Sequence, residues 1–381
     1  MAEIFSLKAT EKKVEYLELI YDLIFVYIIG RNNSLLHTLE NGFIVGETYA
    51  AYILSTLVIL QIWYSTTLYV NRYGRNGLKE HLAIFINMYL LYYMADGTRV
   101  HWQEFYFRYN IAWGLILVNL AVQYFIRLRQ SKGMMPWEDT HIKYNMWLLL
   151  LQAAIVFVSL PLYVLTEIPF SPLAMVFGII AVAVTGKMNK LMPVDFPHLT
   201  ERVMLYVVFT FGEMIIGIAG YFEGGFGFNS VYFSLMAFLI VVGLFQSYGC
   251  LYDKLIDRHQ STTGAAYMLL HVFIITAMNN ITTALEFMRE PEVAAIPKNI
   301  FLAVSFLVYF IFLLLLNRFS RHKLRNNRRA FVIILLIFAA YLTLTGLFYA
   351  QPYVSIAVAV VFIYAMYGAL LSFAKKAAPE A

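Results

Sequence analysis

Charge is what this chain has least of: only 13% of its 381 residues are charged, about half the share that a soluble domain uses to cover its surface. A water-soluble globule is thereby excluded. Cysteine is also scarce. Cys250 stands alone, which rules out an intramolecular disulfide and a cysteine-held metal cluster. Long polar segments are missing as well, since the stretches between apolar blocks, such as 130–142 and 288–298, are loop-sized. Any function is therefore expected within the membrane or at its faces. The N-terminal residues are mixed in charge and lack a small-residue cleavage site, so the first apolar segment is expected to stay as an anchor.

What the chain has is apolar length: 61% of its residues are hydrophobic and 17% aromatic. Blocks of about 18 to 25 residues, enough to cross a bilayer as helix, recur throughout. They predict about twelve spans, near residues 14–38, 46–70, 80–97, 108–129, 143–166, 169–188, 200–222, 230–256, 264–287, 299–318, 328–349 and 352–374. With an even count and both termini cytoplasmic, 23 of the 28 Lys and Arg residues fall on the cytoplasmic side, as the positive-inside rule requires. The opposite side holds Arg99, Arg108, Arg289 and Lys298, and Arg31 lies within a span. The expected fold is thus an all-α polytopic protein of the plasma membrane. Its net charge of +5 reflects orientation and contact with anionic lipid. The basic run from Asn317 to Arg329 is read as a cytoplasmic loop, with no nucleic-acid partner.

A weak internal repeat divides the chain. Aligning Leu68-Tyr69 with Leu251-Tyr252 gives an offset that also carries Asp96 onto Asn279. Spans 1 and 7 each carry a carboxylate within the apolar run, Asp22 and Glu213. Two parallel six-helix repeats, residues 1–190 and 191–381, are expected.

Three segments carry a resemblance. E18-L-I-Y-D-L-I-F-V26, W63-Y-S-T-T-L-Y-V-N-R-Y73 and H198-L-T-E-R202 with G212-E213 resemble, in order and spacing, the bacterial low temperature requirement protein A family. Two segments depart from its pattern: G74-R-N-G77 replaces an acidic tract, and G249-C-L-Y-D253 replaces an aromatic run. The resemblance implies no set substrate. A fainter one, over I20-Y-D22-L-I-F-V and F211-G-E213-M-I-I-G, is to the two-repeat, six-plus-six potassium channels and implies that spans 1 and 7 line a pathway.

Helix geometry sharpens the picture. At about 100° per residue, Glu18 lies roughly −60° and Asp22 roughly −20° from Glu15, so the three carboxylates share one face. A charged stripe in a bilayer faces the bundle interior or water. Polar bonding between helices is one reading, and a cation or proton pathway shared with Glu213 is the other. Ile24 and Ile28 after Asp22, and Ile215 and Ile216 after Glu213, are candidate gates that close by dewetting. Ordinary helix packing or lipid exposure is the other reading, and the one a membrane span favours. In P193-V-D-F-P-H-L-T-E-R202, Asp195 is expected to cap a helix, and Glu201 to pair with Arg202 at the cytoplasmic mouth. His198 with Glu201 is a weak metal candidate. In span 9, Asn279, Thr282 and Glu286 share a face, as a solute site or a hydrogen-bond seam.

The reading is a channel or transporter for a cation or a proton-coupled small solute, with Glu15, Glu18, Asp22, Glu201, Glu213, Asn279 and Glu286 along its path. The alternative is an intramembrane enzyme acting on a lipid or isoprenoid by acid–base chemistry, though no magnesium-binding Asp-Asp-x-x-Asp is present. A scaffold subunit is the third class. No cofactor is expected; the partners are lipid, an inorganic cation, a proton or small solute, and, compatibly, further copies of the chain.

Overall fold

The computed structural model describes residues 12–96, 102–130, 135–184, 186–190, 192–222, 225–320 and 328–377. Lys8, Arg99, Lys132 and the basic stretch 321–327 lie outside the described residues, and so does the side chain of Asp96. Among the described residues, twelve helices of 13 to 31 residues stand where the spans are expected. They are α1 Tyr16–Asn32, α2 Gly46–Tyr73, α3 Leu78–Asp96, α4 Trp102–Arg129, α5 Pro136–Thr166, α6 Pro172–Val184, α8 Phe196–Ala219, α9 Phe228–Lys254, α10 Ala265–Arg289, α11 Ala295–Leu315, α12 Arg328–Leu347 and α13 Pro352–Ala377, with α7, Gly186–Asn189, a single turn.

Nine of these, counted among the described residues, are long and apolar enough to cross a membrane. The shortfall is in α1, α3 and α6. The 17 residues of α1 include two carboxylates, and α3 opens with Lys79, Glu80 and His81. The 13 residues of α6 rise about 20 Å, short of a hydrocarbon core of about 30 Å. The chain is a multi-pass, nearly all-helical membrane protein.

Local chemistry sets the breaks. Glu167 ends α5 in the left-handed conformation, φ 59°, and Pro172 opens α6. Pro352 likewise opens α13, at the first helical position, where a missing N–H costs nothing. One element escapes the sequence reading: β1, Leu39–Glu40, pairs antiparallel with β2, Phe43–Ile44. Asn41 and Gly42 both have positive φ, 51° and 80°, the Asn-Gly hairpin turn. Strands of two residues are too short for alternation to betray them.

The chain forms two compact units that alternate along the sequence. The first holds Met1–Arg31, Leu57–Tyr206 and Arg258–Ala266; the second holds Asn32–Thr56, Val207–Asp257 and Tyr267–Ala381. In the first, α4 packs along α3 and α5, and α5 along α6. In the second, α13 lies against α9 and α12. Without a hydrophobic drive between helices in lipid, close approach through small residues carries this packing. At Gly243 of α9, a Cβ would sit 2.5 Å from Ile363 Cγ2 of α13, and Ile363 is fully buried.

Gly243→Ala is therefore expected to lower stability by about 1–3 kcal/mol through overpacking. Melting of the detergent-solubilised protein checks this. Adding Ile363→Ala should recover part of the loss, and additive losses would show that the two positions do not meet.

Candidate functional site

Two of the three carboxylates of the first segment are buried to the last few percent: Glu18 is 4% exposed and Asp22 0%. Their helix, α1, is held against the start of α8 by an ion pair within the first unit. Arg202, itself fully buried, places Nε 3.0 Å from Asp22 Oδ2 and Nη2 2.8 Å from Asp22 Oδ1, a two-point fork. Its Nη1 donates to Glu18 Oε2 at 2.9 Å. The Trp63 indole of α2 donates to Asp22 Oδ1 at 3.0 Å, and its ring stacks on Tyr206 with centroids 4.5 Å apart. Beside them Tyr21 meets Thr66 Oγ1 at 3.3 Å. Buried ions survive only with partners of this quality, because their removal from water is costly.

The expected pairing of Glu201 with Arg202 does not form this site. Glu201 is exposed, whereas Arg202 turns inward, because a guanidinium one turn after His198 meets the α1 carboxylates. Asp195 does cap α8, its Oδ1 accepting from the His198 N–H at 3.1 Å. Asn71 then orients His198. The Asn71 Oδ1 accepts from the Asp195 N–H at 3.0 Å, so its Nδ2 must be the group donating to Asp195 O and to His198 Nδ1, both at 2.9 Å. With Nδ1 accepting, the neutral ring carries its proton on Nε2. That nitrogen faces Glu18 Oε2 at 3.4 Å. Arg202 alone bonds both carboxylates, and the Lys12 ammonium lines the cavity beside Glu18.

Glu18 is also where the cluster meets a cavity. A space of about 270 Å³ is lined by Glu18, Glu15, Lys12, Glu80 and His81, with exposed Arg75 and Asn76 at its rim. The Lys12 ammonium donates to the carbonyls of Val70 at 2.6 Å and Gly74 at 3.4 Å, the end of α2, where cations are favoured. Burial lowers the pKa of Lys12 from the ordinary value, against the pull of Glu18.

The remaining candidates lie elsewhere. Glu213 is half-buried in the second unit. There too Asn279 Oδ1 accepts from Asn33 Nδ2 at 3.4 Å, and Glu286 Oε2 lies 3.1 Å from His37 Nε2. Ile28 is buried and Ile24 half-buried, while Ile215 and Ile216 are exposed. Among the described residues no group of three His, Cys, Asp or Glu side chains is placed to hold a metal; His198 is buried and Glu201 exposed. Sequence reasoning missed Arg202, Trp63 and Asn71 as partners of the carboxylates. The signal was present: Glu18 and Asp22 are spaced i, i+4, and so are His198 and Arg202, two helix faces of complementary charge.

Arg202→Met strands two buried carboxylates and is expected to destabilise by about 3–5 kcal/mol; Glu18→Gln, which leaves the Asp22 fork, should be the milder change. Adding Glu18→Gln and Asp22→Asn to Arg202→Met should restore part of the melting temperature. The reverse order of the two single variants would contradict this pairing.

The bond to Glu286 raises the pKa of His37. Its contribution is thus fully present below the ordinary imidazole value, about 6.5, and is lost as pH rises through the raised one. The melting difference between the parent and His37→Gln should shrink from pH 5.5 to pH 8.5. A difference that grows with pH contradicts the contact.

The segments meeting at Asp22 come from α1, α2 and α8, the three that carry the resemblance noted in the sequence. A sequence model of the bacterial low temperature requirement A protein (LtrA) matches residues 13–365. Comparison with curated proteins gives no match. The chain belongs to the bacterial low temperature requirement A family.

Proposed function

We propose that this protein is a transporter that moves a small solute across the plasma membrane in step with a proton, and that Glu18 carries the proton. The observation behind this reading is the position of Glu18, which touches Arg202 on one side and lines the 270 Å³ cavity on the other. An intramembrane ionisable group in contact with water is a site for ion or proton movement. Asp22, with both oxygens taken by Arg202 and one also by Trp63, is the fixed counter-charge. A proton on Glu18 leaves Asp22 as the one charged carboxylate on Arg202. It weakens the hold of Arg202 on α1 while the Asp22 fork persists. His198, its Nε2–H turned to Glu18, is the neighbour able to pass that proton.

The two six-helix repeats, 1–190 and 191–381, with both termini cytoplasmic, complete the proposal. In it the cavity at Lys12 and Arg75 opens to the cytoplasm, on the side richer in basic residues.

The test is proton movement in proteoliposomes, followed with a trapped pH-sensitive dye while potassium, sodium or a panel of amino acids and sugars is added outside. Proton entry linked to a solute is expected for the parent and not for Glu18→Gln. Unchanged proton entry in Glu18→Gln would remove Glu18 from the path. No proton movement with any solute, both proteins being folded, would transfer the reading to acid–base chemistry on a lipid.

A further inference from the structure

A second cavity, of about 70 Å³, lies within the first unit among α2, α4, α5 and α6. In water-sized terms it holds roughly five waters or a solute of similar atom count. Its wall on α2 is rich in donors without acceptors. Tyr64 lines the cavity, and its hydroxyl is buried without a hydrogen-bond partner. The same holds for Arg72 Nε. Arg72 is meanwhile fixed by its other nitrogens, Nη1 donating to Asn189 Oδ1 at 3.2 Å and Nη2 to the Thr263 carbonyl at 3.1 Å. The Gln61 Oε1 accepts from Gln152 at 2.9 Å, which leaves the Gln61 amide nitrogen, two further donors, at the same wall. That nitrogen occupies the place a Cβ on Gly178 would take.

A buried donor left unpaired costs about 1–3 kcal/mol, and two of them on residues of one cavity wall, one belonging to a guanidinium, call for an acceptor with negative charge. The lining also holds Leu120, Leu148 and Leu149, beside Asn145 and Gln152 of α5. We infer that this cavity is a binding site for a short aliphatic carboxylate. Its oxygens take the Arg72 Nε–H and the Tyr64 hydroxyl, and its alkyl end lies on the leucines. A carboxylate moving with a proton crosses as a neutral pair, so the site supplies the solute class for the transport proposed above. That role rests on the transport reading, whereas occupancy of the cavity does not.

Occupancy is read by calorimetry on the full-length protein in detergent, with sodium formate, acetate and propionate as probes and methylammonium chloride as the cation control. Saturable acetate binding is expected, tighter for propionate than for formate. Tyr64→Phe, which keeps the ring and its packing, should weaken acetate binding about tenfold, the loss of one hydrogen bond to a charged group. Arg72→Gln should abolish it, and Tyr64→Phe decides if that variant does not fold. No acetate binding by the folded parent, equal binding by Tyr64→Phe, or equal binding of methylammonium would each overturn the proposal. Acetate binding without proton movement would leave this site standing and the transport reading fallen. Proton movement without acetate binding would do the opposite.

Discussion

Everything near the candidate site depends on one guanidinium. Arg202 is fully buried, and its fork on Asp22 and its third bond to Glu18 join segments 180 residues apart. Such a group is tolerable only when its charge is answered in good geometry. The pair also sets the rotation of α1. A slip of one residue would turn the helix by about 100° and carry both carboxylates away from their cation.

Helix α2 serves two polar environments. Around α2, at about 100° per residue, Trp63, Thr66 and Val70 fall on one side and Gln61, Ser65, Leu68 and Arg72 on the other. The first side supplies the indole that steadies Asp22. The second lines the smaller cavity. Asn71, between them, fixes the tautomer of His198 through a hydrogen-bond chain that begins at the Asp195 backbone. A single dense motif therefore tunes both a charged cluster and a donor-lined cavity, and it can do so because a helix presents successive residues to different neighbours.

Much of the architecture is legible without coordinates. The apolar blocks anticipate all twelve helices, the fifth ending at Glu167 and the last opening at Pro352; α6 opens at Pro172, three residues later than its block. The shared face of Glu15, Glu18 and Asp22 follows from the helical period. The Leu39–Ile44 hairpin does not, because two-residue strands carry no periodic signal. Nor does the partner of the carboxylates. Arg202 beside Glu201 reads locally as a neighbouring pair, whereas burial of one and exposure of the other separates them.

Short-range pattern carries membrane-spanning length, helix faces, capping by Asp195 and kinship with the low temperature requirement A family. These rest on local periodicity, turn chemistry and ordered motifs. Long-range packing sets which charge answers which, leaves Tyr64 and Arg72 with donors unspent, and puts Glu18 at the edge of a cavity while Asp22 is sealed. Helical period fixes where a side chain points around its own axis. Which helix stands opposite is settled by packing between segments far apart in the chain.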